Sequence, residues 1–408
     1  MKVLVYTSPA RGHLYPLVPT LEELRRRGHQ VAVRSLSTEV ERVRALGFEA
    51  EPIDPAIEAR EIDDWKSKFP PAALLAACRT FVDRGAHEVG DLRRAIARER
   101  PDVLFTDVNS WGAAAAAESS KLPWAVFAPY FLPLRAPGAP PWGLGLAPQP
   151  GLLGRVRDAL LWPVVNALYN RVLPAVNALR ASAGAAPYRD VADFAQRPPC
   201  IVSYTAEPFE YARAWPAHVR LVGPGVWEPP SEPQPSAAAD ARPLVLVTCS
   251  TEFQNDGKLV ETALAALADE PVRVLATTAS LDPGLFRAPP NARVERFVPH
   301  GPVLREAACV VCHGGMGITQ KALSAGVPVC VVPFGRDQLE VARHVEVARA
   351  GTRLPPARLS SERLRRAIRE AMALKPGALH VAERFRNAGG ARAAAAVLEG
   401  LVAAAAAR

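Results

Sequence analysis

The segment from His313 to Thr319 carries a histidine and 3 glycines where a buried strand gives way to a helical pattern. Glycines let the backbone approach a ligand closely, and the first N–H groups of a helix bind anions, most often phosphate. A histidine just before such a turn is placed to donate a hydrogen bond to a phosphate oxygen. Neither the G-x-G-x-x-G dinucleotide motif nor a Walker A motif occurs in the sequence. The segment indicates a phosphate site, the alternative being a glycine turn with a structural histidine.

A second motif, from Pro333 to Gln338, follows the next strand along the chain. Open α/β sheets bind ligands beyond the carboxyl ends of their strands, so we expect this motif beside the phosphate site. The carboxylate of Asp337 and the carboxamide of Gln338 offer acceptors and donors suited to pairs of hydroxyl groups, as on a sugar ring. Asp337 alone could also be a helix cap. Beside a phosphate site, the motif indicates one ligand that carries both phosphate and hydroxyl groups.

The first half of the chain has a histidine, His13, in the loop after its first strand, and Asp107 at the end of a later strand. Both positions lie at the carboxyl edge of the predicted sheet, which brings them within reach of each other. A histidine oriented by a carboxylate is the usual base for removing a proton from a hydroxyl group. We therefore expect this pair to act on a hydroxyl.

Short β-branched runs alternate with helical patterns along both halves of the chain, which is typical of parallel sheets covered by helices on both faces. The segment 223–242 between the halves is rich in proline and alanine, and its composition predicts a semi-rigid linker. The predicted fold class is α/β, with two doubly wound, Rossmann-like domains facing each other across a cleft. The predicted domains are 1–222 and 243–378, followed by C-terminal helices at 379–408 that pack back on the first domain.

An apolar segment broken by prolines, between Pro129 and about Pro174, interrupts the alternating pattern. Its side chains either pack between helices or form the wall of a pocket for an apolar ligand, and the sequence favours neither interpretation. The candidate acceptor-binding residues are the aromatic ones in or near this segment: Trp111, Tyr130, Phe131 and Trp142.

The composition is that of an ordinary globular protein, with 408 residues, 49% hydrophobic and 22% charged, and a net charge of +8. The arginines are scattered over helical patterns and no nucleic-acid motif occurs, so we expect no nucleic-acid partner. No uncharged run approaches the roughly 18 apolar residues that span a bilayer, and the N-terminus has no secretory signal pattern. We expect a cytoplasmic protein without stable membrane insertion, whose 6 cysteines are core thiols.

Taken together, these motifs resemble the GT-B-fold, family-one glycosyltransferases of the bacterial natural-product (macrolide) type. The likeness covers nearly the whole chain: the Gly-His loop, the aspartate at a strand end, the linker, and a donor signature from Phe297 to Gln338. Such enzymes transfer a sugar from a nucleotide diphosphate with inversion and without a metal. The resemblance implies that His13 is the general base, and that Asp107 holds its tautomer and balances its charge.

The resemblance also implies how the donor is bound. A cationic His313 and the N–H groups from Gly317 to Thr319 would stabilise the departing diphosphate in place of a metal ion. Thr251 would contact the phosphates, Phe297 would pack on the base, and Val298 would contact it through the backbone. The full set of donor-binding candidates, including the expected sugar contacts at the end of the signature, is Thr251, Phe297, Val298, His300, His313, Gly315, Gly317, Ile318, Thr319, Asp337 and Gln338.

Three positions depart from the family pattern. His300 stands where the family usually has Gln, and Ile318 replaces a common Ser or Thr, which removes one phosphate donor. Lys321 stands where many UDP-sugar users carry a Glu that bonds the ribose hydroxyls, and a lysine cannot accept a hydrogen bond. The nucleotide therefore stays open between UDP and dTDP, whose deoxyribose lacks one hydroxyl.

The resemblance thus implies an inverting, metal-independent transfer of a hexose or deoxyhexose from a UDP- or dTDP-sugar to a hydroxyl of an apolar aglycone, such as a polyketide, macrolide or phenolic. No cofactor is expected beyond this co-substrate, and the chain is expected to be a monomer or a homodimer. The alternative is a nucleotide-sugar-binding protein that has lost transfer, which could dispense with His13 and Asp107. A GT-B-type epimerase or a hydrolase is less favoured, since the G-x-S-x-G hydrolase motif is missing.

Overall fold

The computed structural model describes residues 1–63, 70–136, 138–230, 240–250 and 256–407. The strands are β1 Lys2–Tyr6, β2 Gln30–Ser35, β3 Glu49–Pro52, β4 Val103–Asp107, β5 Trp124–Ala128, β6 Ile201–Ser203, β7 Val219–Leu221, β8 Leu244–Thr248, β9 Arg273–Thr277, β10 Ala292–Glu295, β11 Ala307–Cys312, β12 Val329–Val331 and β13 Gly351–Arg353. The α-helices are α1 Arg11–Leu14, α2 Val18–Arg26, α3 Val40–Ala45, α4 Pro55–Glu58, α5 Pro70–Glu99, α6 Trp111–Ser119, α7 Gly151–Tyr169, α8 Leu173–Ser182, α9 Asp193–Gln196, α10 Gly257–Leu267, α11 His300–Glu306, α12 Met316–Ser324, α13 Gln338–Val347, α14 Ser361–Ala373, α15 Lys375–Asn387 and α16 Gly390–Ala406. Short 3-10 helices lie at Tyr15–Leu17, Ser37–Glu39, Asn170–Val172, Pro283–Leu285 and Pro356–Arg358.

The N-terminal sheet is parallel throughout, with the strand order β3-β2-β1-β4-β5-β6-β7. Successive side chains of a strand point to opposite faces, so Leu4 and Tyr6 join one buried cluster and Val3 and Val5 the other. The chain moves outward from β1 to β3 and then crosses to β4 on the other side of β1. The loops after β1 and β4 therefore meet at the point where the strand order reverses, which is where such sheets bind ligands.

The C-terminal sheet repeats this plan, with the parallel order β10-β9-β8-β11-β12-β13. Its order reverses between β8 and β11, where Thr248 is paired with Cys312 at the carboxyl ends of the two strands. The predicted α/β class with two doubly wound, Rossmann-like domains is confirmed. All six cysteines are buried thiols, as the sequence predicts.

The two domains pack directly against each other beside the cleft. The imidazole of His344 on α13 is stacked between Phe131 and Tyr211 of the N-terminal domain, with ring centroids 3.7 and 3.6 Å away. On the same helix, Glu340 Oε1 accepts hydrogen bonds of 2.7 Å from the backbone N–H groups of both Gly143 and Gly145. The irregular segment after β5 is thereby attached to the C-terminal domain, which fixes the position of one wall of the cleft.

The last two helices connect both domains. Of the residues described, the stretch Lys375–Ala406 is long and apolar enough to cross a membrane by length and composition alone. In the structure it is divided into α15 and α16 at Gly389, whose φ of 93° is left-handed. The apolar side of α15 packs on the C-terminal core, whereas α16 packs on α2 and contributes Leu398 to the N-terminal core. Helix α15 runs across residue 378, the predicted end of the second domain.

Candidate active site

His13 and Asp107 form a hydrogen-bonded pair at the carboxyl edge of the N-terminal sheet. Asp107 is the last residue of β4 and has no exposed surface. Its Oδ2 accepts from the N–H and the hydroxyl of Ser8, at 3.1 and 3.0 Å, and Oδ1 accepts from the N–H of Asn109 at 2.8 Å. His13 Nδ1 lies 2.9 Å from Oδ2. Because a carboxylate only accepts, the proton of the neutral imidazole is on Nδ1, and Nε2 is the nitrogen that can accept a proton.

Two residues that sequence reasoning did not place at the base, Asn109 and the hydroxyl of Tyr130, surround the imidazole of His13. The Tyr130 hydroxyl donates to Asn109 Oδ1 at 2.6 Å, which directs Asn109 Nδ2 toward His13 Nε2 at 3.5 Å. The rings of Tyr130 and His13 are in edge contact, with centroids 5.8 Å apart. Burial raises the pKa of Tyr130 well above its usual value, and the charges of Asp107 and Asp337 act in the same direction. The phenol therefore keeps its proton and remains a donor.

The opposite side of the cleft is formed by the turn from β11 into α12. His313 follows β11 directly and is buried, with Nδ1 3.9 Å from Asp256 Oδ2. Burial, together with the charge of Arg336, lowers the pKa of His313 to about 4. Burial therefore favours the neutral imidazole, against a hydrogen bond with the Thr248 backbone that favours the charged form, and the cationic His313 on a bound diphosphate stays a prediction.

Two glycines shape this turn. A Cβ on Gly315, which caps α12, would lie 2.5 Å from His313 Nε2, so only glycine leaves room for the imidazole. A Cβ on Gly317 would meet no atom within 4 Å, so the first turn of α12 borders open space. The N–H groups of the first helical residues, Met316 to Ile318, have no intrahelical acceptor by their position. Helix end, histidine and space together are suited to the oxygens of a phosphate group.

Asp337 and Gln338 lie at the start of α13, in the loop after β12. Gln338 Oε1 accepts from the N–H groups of Phe334 and Gly335, at 2.7 and 3.1 Å, so its carbonyl fixes the shape of the loop. Burial raises the pKa of Asp337, against its own backbone N–H and the positive charges of Arg336 and His13.

The end of the cleft beyond α12 carries an exposed aromatic ring and a group of charged residues. Phe297 is 60% exposed, whereas the next side chain, Val298, is buried. Their contacts with a nucleotide base stay predictions. His300 Nε2 lies 3.3 Å from Thr277 Oγ1, and burial lowers the pKa of His300 to about 4. Lys321 Nζ donates at 2.9 Å to Glu228, a residue of the segment between the domains that sequence reasoning missed.

Comparison with known proteins agrees with this geometry. Residues 259–397 match the family model described as "Erythromycin biosynthesis protein CIII-like, C-terminal domain". The chain is 32% identical over 424 residues to 4'-demethylrebeccamycin synthase of Lentzea aerocolonigenes, and the match covers 98% of this chain and 99% of the relative. The chain belongs to the glycosyltransferases of antibiotic biosynthesis.

A second relative and a solved structure are consistent with this assignment. The glycosyltransferase is 26% identical to demethyllactenocin mycarosyltransferase of Streptomyces fradiae, over 98% of this chain and 86% of the relative. Its fold matches the structure of spinosyn rhamnosyltransferase SpnG complexed with thymidine diphosphate, at a TM-score of 0.69 and 20% identity, covering 98% of this chain and 100% of the other. The fold is the GT-B arrangement of two Rossmann-like domains.

Of the four predicted acceptor-binding residues of the glycosyltransferase, the structure places only Tyr130 beside His13. The prediction for Phe131 is wrong: its side chain is 1% exposed and is stacked on His344 in the contact between the domains. Trp111 packs between Phe81 and Phe194, with centroids 5.3 and 4.8 Å away. Trp142 is half-buried and packs on the C-terminal core. Acceptor contacts of these two tryptophans stay predictions.

On the donor side, the prediction for Thr319 is wrong. Its hydroxyl donates to the Gly315 carbonyl at 2.9 Å, its N–H bonds the same oxygen at 3.1 Å, and the side chain is buried. Both donors of Thr319 are therefore bonded within the helix, and diphosphate contacts of the Gly317 and Ile318 N–H groups stay predictions. Thr251 lies outside the described residues. Within the described ranges, no group of three or more His, Cys, Asp or Glu residues is arranged to hold a metal ion.

Proposed function

We propose that this glycosyltransferase moves a hexose or deoxyhexose from a dTDP- or UDP-sugar to a hydroxyl of an apolar natural-product aglycone, with inversion and without a metal ion. The proposal depends mainly on one observation: each of the two domains contributes one group of functional residues to the cleft between them. The His13–Asp107 pair lies on the N-terminal side, and His313 with the first turn of α12 lies on the other. The names of the relatives, a rebeccamycin synthase and a mycarosyltransferase, support the class of acceptor.

The transfer begins at the acceptor hydroxyl. His13 Nε2 takes its proton while the acceptor oxygen forms a bond to the anomeric carbon of the sugar. The bond from that carbon to the diphosphate oxygen breaks, and its electron pair leaves with the diphosphate. Attack from the side opposite the leaving group inverts the configuration. The imidazolium formed at His13 is stabilised by the buried Asp107 carboxylate at 2.9 Å.

The departing diphosphate gains negative charge during this step. His313 and the N–H groups of Gly317 and Ile318 would contact its oxygens, and the partial positive charge of the helix end favours an anion there. These fixed dipoles supply the stabilisation that a metal ion supplies in other transferases, so a metal is not required by the chemistry. Asp337, at the N-terminus of α13, would offer its carboxylate to the sugar hydroxyls.

An inactive nucleotide-sugar-binding protein is the alternative, and the acceptor side argues against it. Burying the Asp107 carboxylate is costly unless its oxygens are satisfied, and here four donors satisfy them: two from Ser8, one from Asn109 and one from His13. Donor binding alone needs none of this arrangement. We also propose that the protein acts in the cytoplasm, as a monomer or a homodimer.

The proposal is tested by incubating the purified chain with dTDP- and UDP-sugars and a panel of phenolic and polyketide aglycones, with detection of glycosides by mass spectrometry. We expect a glycoside whose anomeric configuration, measured by proton NMR, is opposite to that of the donor, in the presence or absence of EDTA. His13→Ala should lower kcat about a hundredfold or more and leave nucleotide affinity unchanged, whereas the exposed His380→Ala is the matched control. Retained configuration, full activity of His13→Ala, or loss of activity in EDTA would each contradict a part of the proposal.

A further inference from the structure

Glu228 stands apart from both sheets, in the segment that joins the two domains, yet its carboxylate is held in the C-terminal domain by three donors. Oε1 accepts from the N–H of His300 at 3.1 Å and from Lys321 Nζ at 2.9 Å, and Oε2 accepts from the N–H of Gly301 at 2.8 Å. The side chains of Glu228 and Lys321 are 18% and 19% exposed. The pair is thus mostly buried but still partly accessible from outside.

The contacts of Glu228 favour the charged form of its carboxylate. Burial acts to raise the pKa of Glu228, but Lys321 and the Gly301 N–H outweigh it, and the pKa is lowered. A Cβ on Gly301 would come within 3.2 Å of Glu228 Oε2, so glycine at this position lets the carboxylate approach the backbone. Neither residue contacts the His13–Asp107 pair, and no step of the proposed transfer uses them.

Their position follows from the proposed function, on which this inference rests. A nucleoside diphosphate with its base on Phe297 and its diphosphate at the first turn of α12 must place its pentose between these two points. Lys321 is four residues, about one turn, beyond Gly317 on the same face of α12. Glu228 bonds the backbone three and four residues beyond Phe297. The ion pair therefore lies beside the pentose.

The hydrogen bonds that Glu228 already accepts limit how many further donors its carboxylate can bind. An ionised carboxylate has about four acceptor positions, and donors among the described residues occupy three of those of Glu228. About one position is left, on Oε2. A 2′-deoxypentose in a 5′-diphosphate has one free hydroxyl, at the 3′ carbon, whereas a ribose presents two neighbouring hydroxyls that both seek acceptors.

We propose that Glu228 and Lys321 determine the nucleoside specificity of the donor site. The Glu228 carboxylate accepts the 3′-hydroxyl, and the Lys321 ammonium occupies the acceptor position that a 2′-hydroxyl would need. A 2′-deoxyribonucleoside diphosphate then presents one hydroxyl to one open acceptor position, whereas a ribonucleoside diphosphate presents a second hydroxyl proton for which Glu228 has no acceptor position left. Unmatched polar groups of this kind lower affinity more than matched ones raise it.

The test compares UDP with 2′-deoxyuridine diphosphate, which differ only at the 2′ position, by calorimetric titration of the wild-type protein. We expect the deoxynucleotide to bind about tenfold more tightly. Lys321→Met frees an acceptor position on Glu228, so UDP should gain affinity and the difference should shrink to about twofold or less. Glu228→Gln should weaken both nucleotides, whereas Glu270→Gln, a similar substitution in an ion pair on the domain surface, should change neither.

Two results would overturn the assignment. One is a wild-type protein that binds UDP as tightly as, or more tightly than, its 2′-deoxy analogue, a result that does not depend on the folding of any variant. The other is an unchanged ratio of affinities in a folded Lys321→Met protein. If the wild-type protein bound neither nucleotide, the proposed function would fail as well, so the two failures are distinguishable.

Discussion

His13 Nδ1 lies 2.9 Å from Asp107 Oδ2 although 94 residues separate them in the sequence. The contact exists because β1 and β4 are neighbours in the sheet and are in register up to Tyr6 and Thr106. One further residue along β4 is Asp107, and the loop after β1 then turns His13 back over it. Strand pairing therefore sets the position of Asp107 relative to the segment that carries His13.

Asp107→Asn should separate the orientation of His13 from its electrostatic support. Asparagine has nearly the same shape and can still accept from Ser8, but it carries no charge to stabilise an imidazolium. We expect kcat to fall about a hundredfold or more while nucleotide affinity stays unchanged, because the residue lies on the acceptor side. Steady-state kinetics and calorimetry measure the two quantities. The exposed Asp282→Asn is the control, and near-normal kcat in Asp107→Asn would remove the aspartate from the mechanism.

Tyr130→Phe should affect His13 through Asn109. The Tyr130 hydroxyl fixes the Asn109 amide with Nδ2 toward His13 Nε2, and without it the amide can turn its oxygen to that nitrogen. An oxygen there favours the protonated imidazole. We expect kcat to fall about tenfold, and the acid limb of the pH–rate profile to move to higher pH. Tyr188 is another buried tyrosine, away from His13, and its replacement in Tyr188→Phe should leave the pH–rate profile unchanged. If the pH–rate profile of Tyr130→Phe were identical to that of the wild type, the role of Tyr130 would be merely structural.

The sequence predicts those parts of the molecule that follow from strand and helix periodicity. Alternating buried strands and helices predict both sheets, and the ends of the strands predict that His13 meets Asp107 and that His313 precedes a glycine turn. Each of these depends on a pattern of only a few residues. Strand pairing then brings distant patterns together at one edge, because parallel strands end there.

The remaining parts depend on irregular segments, whose paths have no periodic signal. Phe131 and Tyr130 are adjacent in an aperiodic stretch, yet one is buried against His344 and the other faces His13. Glu228 reaches α12 only because the segment between the domains runs past it. Thr319 was mistaken for a phosphate contact because its hydroxyl bonds the carbonyl four residues earlier, a local competition that composition does not reveal.

Gly315→Ala should damage donor binding without unfolding the protein. The added Cβ would lie 2.5 Å from His313 Nε2, so the imidazole must leave its position before α12. We expect the KM for the nucleotide sugar to rise about tenfold, with little change in acceptor KM. Gly400→Ala, a helical glycine with nothing within 4 Å of the new Cβ, is the matched control and should not lower Tm. Equal donor KM in the two variants would mean that the position of His313 is unimportant.

Glu88 on α5 makes the stability of the N-terminal domain depend on pH. Burial raises its pKa to about 8, although the N–H groups of Gly112 and Ala113 favour the charged form. An unfolded glutamate has its usual pKa of about 4.5, so between pH 4.5 and 8 the unfolded chain binds fewer protons than the folded one. The stability that this group contributes is complete below pH 4.5 and is lost as pH rises toward 8.

Glu88→Gln should remove this dependence, because glutamine stays neutral at every pH and keeps an oxygen for the Gly112 N–H. We expect the Tm of the variant to match wild type near pH 5 and to exceed it by about 2 °C at pH 8. Glu41→Gln, at a side chain that is 82% exposed, should show no such trend. Thermal denaturation of the three proteins from pH 5 to 8 measures these differences in Tm. A Glu88→Gln protein that is less stable than the wild type at pH 8 would show that Glu88 is charged in the folded protein.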